Sequence, residues 1–165
     1  MHVIRRIAFV LVATLFSPAA YAHGDDGSSR SAARFDPSRV EQTPFGREGD
    51  PSKAQRTVVV RMSDQMRFSP DVIKVSKGET IRLVVANDGE ALHELVLGRT
   101  EDLKEHAELM RRFPGMVHVE PHIAHVKPGN QREIVWHFNR PGTFSFACLQ
   151  PGHYEAGMLG YVAVR

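Results

Sequence analysis

From Arg56 onward, apolar and polar residues alternate in short runs punctuated by Pro and Gly, the pattern of β-strands joined by tight turns. The runs "RTVVVRM" (56–62), "VIKV" (72–75), "TIRLVVA" (80–86), "LHELVLG" (92–98), "REIVWHF" (132–138), "TFSFAC" (143–148) and "MLGYVAV" (158–164) are predicted as strands. "KGE", "NDGEA", "KPGN" and "RPG" fall between them, where turn chemistry belongs. Seven short strands without a repeating helix predict an all-β fold, a Greek-key antiparallel β-sandwich or barrel. One helical insertion interrupts it. "TEDLKEHAELMRRFPG" has Thr100 as the expected N-cap, acids at Glu101 and Asp102, and Arg111 and Arg112 ahead of Pro114 and Gly115. Leu103, His106, Ala107 and Met110 share one face at the 3.6-residue period and are expected to pack on the sandwich.

Two different patterns precede the strands. Arg5 and Arg6 lead into the apolar run "IAFVLVATLF" (7–16), followed by Pro18 and the small-residue site Ala20-Tyr21-Ala22. This is the signature of an export signal cleaved after Ala22, which places the mature chain in the periplasm. The run is too short to span a bilayer, so membrane contact is confined to export. Arg5-Arg6 leaves both the general and the twin-arginine route open. Residues 23–55 are polar and rich in Gly, Ser, Asp, Pro and Arg, an arm expected to be disordered or loosely docked, with Phe35 and Phe45 available to pin it. The expected division is therefore signal 1–22, arm 23–55 and domain 56–165.

Charge changes the picture only by exclusion. The first 22 residues carry two arginines and no acids, so the remainder has 19 basic against 19 acidic residues. A neutral chain without a basic patch gives no support to nucleic-acid binding.

The single cysteine, Cys148, changes it more. An exported protein faces an oxidising compartment, where an unpaired thiol is exposed to oxidation or cross-linking. A bound metal resolves this by occupying the reactive lone pair. Cys148 shares strand parity with Phe144 and Phe146, and His93 shares it with Leu95 and Leu97, so both are expected to point inward. His153 and Met158 follow Cys148 at intervals of five residues in "CLQPGHYEAGM". Two imidazoles, a thiolate and a weak axial thioether are the donor set of a blue-copper electron-transfer site, whereas zinc has little use for methionine and calcium wants oxygen.

Residues 56–165 resemble the cupredoxin family on these motifs: His93 after "NDGEAL", then Cys148, His153 and Met158 with "PGH" around the second histidine. The resemblance implies one type 1 copper held by His93, Cys148, His153 and Met158. "FGREGDP", "MRFSP", "LHELVLG", the helix with "FPGM" and the ligand loop look like exported cupredoxins of bacterial copper tolerance. One residue departs from the family pattern. Many small cupredoxins carry Asn after the first histidine, but Glu94 stands here, so the reduction potential and a blue or greener colour do not carry over.

Enzyme readings fare poorly. Multicopper oxidases and copper nitrite reductases flank the cysteine with histidine, whereas Ala147 and Leu149 flank Cys148. The binuclear copper site of terminal oxidases needs two cysteines. A Cys–His hydrolase needs an accessible thiolate. Two functions remain. In an electron shuttle, a redox partner or copper donor protein docks around His153, on a rim expected to include Leu149, Pro151, Tyr154 and Met158. In copper tolerance, extra soft residues catch further copper. His23 at the new N-terminus and His106, Met110, Met116, His118, His122 and His125 are the candidates for a weaker second copper. Each has a plainer reading as a packing, loop or edge residue. Their density between 106 and 125 favours copper tolerance.

Overall fold

The computed structural model describes residues 35–114 and 119–165. The signal 1–22, His23, Met116 and His118 lie outside the described residues. In chain order the elements are β1 (Gln42–Thr43), β2 (Gly46–Glu48), β3 (Arg56–Ser63), β4 (Arg67–Ser69), β5 (Val72–Val75), β6 (Glu79–Asn87), β7 (His93–Gly98), α1 (Thr100–Arg112), β8 (Ile123–Val126), β9 (Gln131–Phe138), β10 (Gly142–Ala147) and β11 (Leu159–Val164). They form a sandwich of two sheets, ordered β1-β2-β9-β6-β3-β4 and β5-β11-β10-β7-β8.

Alternation fills the space between the sheets. Val60, Met62, Ile81, Leu83, Val85, Ile134, Trp136 and Phe138 from one sheet meet Leu95, Leu97, Phe144, Phe146, Val162 and Val164 from the other. Burying each such side chain contributes about 1.5–3 kcal/mol, so this face dominates stability. The sandwich is not wholly antiparallel: β3 runs parallel to β6, and β5 parallel to β11. The connections that cross between sheets bring these pairs together, which local periodicity does not reveal.

Strand β7 is buried along its whole length. Its even face (Glu94, Val96) looks away from the sandwich core, and α1 covers the region around Val96. Leu103, Ala107 and Met110 pack with Val96, Ala147 and Leu149 in a second small core. Thr100 is not the N-cap. Arg99 takes that position without a side-chain cap, and the Thr100 hydroxyl instead pairs with Ser145 Oγ at 2.7 Å. Fixing the helix to β10 has replaced capping its own first turn.

The boundary between arm and domain also differs from the composition-based division. Residues 42–48, assigned to the arm by their polarity, form β1 and β2, and β2 pairs with β9 through Arg47–His137 and Glu48–Trp136. Phe45 is buried and stacks on Trp136 with ring centroids 5.3 Å apart. Trp136 Nε1–H donates to the Phe45 carbonyl at 3.1 Å. Gly46 permits this approach: its φ is +126°, and a Cβ there would lie 2.5 Å from Trp136 Nε1. One aromatic anchor and a glycine outweigh the polar composition around them. Strands β4, three residues long, and β8, four residues long, were also not among the predicted strands.

Removing the Phe45 ring leaves a cavity beside Trp136, so Phe45→Ala is expected to destabilise the domain by about 3 kcal/mol. Urea unfolding followed by tryptophan emission checks this; a loss below about 0.5 kcal/mol, the scale of a surface change, would show the segment to be loosely attached.

Candidate metal centre

The site lies at one end of the sandwich, where β7 begins and β10 ends. The register pairs β10 antiparallel to β7, with Ala147 opposite Val96, so the residue after Ala147 arrives beside the start of β7. His93 and Cys148 are both at 0% exposure. The Cys148 Sγ lies 3.9 Å from His93 Nδ1 and 3.3 Å from His153 Nδ1. Ligand atoms of His93, Cys148 and His153 all fall within 4.8 Å of one another, the one such group among the described residues.

Each donor is held by its surroundings. Asp64, in the turn between β3 and β4, accepts from the backbone N–H groups of Glu90 at 2.7 Å and Ala91 at 3.2 Å, and its Oδ1 lies 2.9 Å from His93 Nε2. With Nε2 tied to a carboxylate, Nδ1 turns to Cys148, the arrangement that orients a metal-bound imidazole. The Glu90 N–H, followed by His93, holds the Asp64 carboxyl below its ordinary range. Asn87 braces the same loop: its Nδ2 donates to the carbonyls of Ala91 and Val126, each at 2.8 Å.

The ligand loop is shaped by its own backbone. His153 N–H donates to the Gln150 carbonyl at 2.9 Å, Met158 N–H to the His153 carbonyl at 3.0 Å, and Cys148 N–H to the Met158 carbonyl at 3.1 Å. Gly152 and Gly157, both at φ +87°, supply the left-handed turns this compact loop requires. Met158 is fully buried and belongs to the same core as Cys148.

Without metal, burial keeps Cys148 and His153 neutral. Burial pushes the Cys148 thiol up to about 12, against a Glu94 N–H that donates to Sγ at 3.4 Å. Burial, with His93 adding to it, holds His153 below the usual imidazole range. A neutral imidazole offers a nitrogen lone pair and the thiol becomes a thiolate on losing its proton, the donors that a soft metal ion takes up. The residues therefore fit copper: a buried sulfur, two converging Nδ1 atoms and no competing carboxylate oxygen in the trio.

Comparison with known proteins agrees. Residues 55–165 match the model of copper-binding proteins of the plastocyanin/azurin family. The chain belongs to that family. This cupredoxin is 51% identical over 164 residues to the "copper-resistant cuproprotein CopI" of Rubrivivax gelatinosus, covering 98% of both chains. It is 32% identical to the protein of the same name from Vibrio cholerae, covering 94% of this chain and 96% of that one. Among solved structures, auracyanin B superposes with a TM-score of 0.61 at 22% identity, covering 76% of this chain and 99% of that one. Auracyanin of Roseiflexus castenholzii does so at 0.59 and 22%, covering 68% and 98%. These two likenesses concern the fold. The cupredoxin has His93, Cys148 and His153 positioned to form a copper site.

Other expected residues are placed differently. Leu149 and Met158 are at 1% and 0% exposure, so they do not belong to an exposed apolar rim. Leu92 is exposed beside His93, and Pro151 and the half-buried Tyr154 flank His153. Met110 is buried between helix and sheet, which withdraws it from a surface copper site with His106. His122 packs edge-on against Phe45 and Trp136, and His125 Nδ1 pairs with Glu94 Oε2 at 2.7 Å. Asp64 was missed altogether. A buried histidine ligand implies a partner for its second nitrogen, but nothing local identifies a residue 29 positions earlier in the chain.

The buried thiol also sets a pH dependence. In the metal-free protein the unfolded thiol ionises near 9.0, whereas the folded one keeps its proton to about 12. Stability is therefore fully present below pH 9 and lost as pH rises, by up to about 1.4 kcal/mol per pH unit. Comparing urea unfolding of metal-free wild type and Cys148→Ser at pH 8 and 10.5 isolates this component. The wild type should lose more stability; equal losses would contradict the buried neutral thiol.

Proposed function

We propose that this cupredoxin is an exported, periplasmic protein of copper resistance that holds one redox-active type 1 copper on His93, Cys148 and His153, with Met158 as the weak axial ligand. The observation that carries the reading is a fully buried thiol flanked by two imidazole Nδ1 atoms in a chain that aligns end to end with copper-resistance relatives. When bound, copper supplies a one-electron Cu(I)/Cu(II) couple. The chain supplies the rest. Asp64 orients His93, the loop hydrogen bonds fix His153 and Met158 against Cys148, and the sandwich keeps water from the sulfur. Rigid donors of this kind change little between the two oxidation states.

Export follows from residues 1–22, with cleavage after Ala22 freeing His23 as a second, weaker copper ligand. No enzymatic step is assigned: Ala147 and Leu149, both buried, flank Cys148 and offer no second metal or nucleophile. A second reading, an electron shuttle, is favoured by the exposed Leu92 next to His93 and the exposed Pro151 two residues before the half-buried His153, apolar groups that a redox partner or copper donor could contact.

Two variants and a gene deletion test the proposal. Cys148→Ser should abolish the intense thiolate-to-Cu(II) absorption while the metal-free fold survives, and Met158→Leu should retain copper with a shifted potential. Deleting the gene should sensitise cells to copper and leave respiration intact. A band that persists in Cys148→Ser defeats the site; a respiratory defect with normal copper tolerance establishes the shuttle instead.

A further inference from the structure

Glu94 is a carboxylate at 2% exposure, immediately after the first histidine of the site. Such a group is costly to bury unless donors meet it, and here they do. Its Oε1 accepts the Leu149 backbone N–H at 3.0 Å, and its Oε2 accepts from Gln150 Nε2 at 3.3 Å. His125 Nδ1 lies 2.7 Å from the same Oε2. The contact with His125 is built into the sheet, because the register of β7 with β8 sets Glu94 directly opposite His125. The contacts with Leu149 and Gln150 reach the ligand loop. Glu94 also donates its own backbone N–H to Cys148 Sγ at 3.4 Å. One residue therefore grips the sulfur, the peptide after it and the next side chain, while a neighbouring strand grips the residue.

We propose that Glu94, held by His125, is a positioning residue for the copper site: it clamps the ligand loop at Leu149 and Gln150, and its carboxylate biases the site toward Cu(II). The proposal rests on the assignment of His93, Cys148 and His153 as copper ligands. The bias has a simple cause. A negative charge inside a dry region interacts more strongly with a divalent than with a monovalent ion, because little water screens it. The group that hydrogen-bonds the ligands then tunes the metal as well as orienting it. Glu94→Gln keeps an acceptor oxygen for the Leu149 N–H and so keeps the clamp while losing the bias. His125 acts in the opposite sense: by meeting the carboxylate it partly offsets the charge. A resistance protein gains from this arrangement, since holding the oxidised ion firmly suits an oxidising compartment.

The test uses the copper-loaded protein and the variants Glu94→Gln and His125→Leu, with potential by voltammetry, the visible spectrum and, in the metal-free form, amide hydrogen exchange at Leu149. Glu94→Gln should weaken the preference for Cu(II) about tenfold, a positive shift of about 59 mV for one electron, and move the thiolate band. His125→Leu should shift the potential the other way and speed Leu149 exchange about tenfold. A merely structural role would move both potentials in the same direction, which would overturn the charge bias. A wild-type potential and spectrum in Glu94→Gln overturn the charge bias, and wild-type Leu149 exchange in His125→Leu overturns the clamp. If Glu94→Gln does not fold, His125→Leu decides: unchanged potential and exchange reject the clamp. Absence of a thiolate band in the wild type would instead reject the ligand assignment, and Leu149 exchange would still judge the clamp.

Discussion

A thiol with no exposure, set between two imidazoles at the end of a β-sandwich, is the constraint around which this protein is organised. Left alone, such a group contributes little beyond a small apolar volume. Its position makes chemical sense when a soft metal takes the lone pairs that converge there. The register that places Ala147 opposite Val96 decides that convergence, because it delivers Cys148 to the start of β7 where His93 already points inward. The rest of the sandwich core keeps that register from slipping, since a one-residue shift would turn His93 and the β7 leucines outward together.

Around the donors the chain has invested in polar groups that hold rather than bind. Asp64 secures the far nitrogen of His93, Asn87 secures the loop before it, and Glu94 secures the loop after Cys148. The helix seals the outer face of β7 and β10 next to these contacts, and burying Leu103, Ala107 and Met110 there keeps solvent from the back of the ligand loop. These contacts hold the donor side chains in place before any metal arrives. His153 is half-buried, the least enclosed of the three donors.

Much of this was legible in the sequence because it rests on short-range rules. Strand parity sends His93 and Cys148 inward, turn residues separate the strands, and the spacing of Cys148, His153 and Met158 belongs to a single loop. What was not legible depends on distance in the chain. Asp64 reaches His93 across 29 residues. The edge strands β1 and β2 exist because Phe45 finds Trp136, although the composition around Phe45 is that of a linker. Met110 is an outward thioether ligand or a core residue according to which face the helix turns to the sheet, and the sheet takes it. His125 read as an ordinary edge residue until β8 placed it against Glu94.

The most direct test of the copper site is X-ray absorption at the copper edge on protein loaded with one equivalent of metal. One short sulfur scatterer and two imidazole nitrogens per copper are the expected result, with the sulfur lost in Cys148→Ser. A shell of nitrogen and oxygen alone in the wild type would contradict it, and would mean that copper binds somewhere other than between His93, Cys148 and His153.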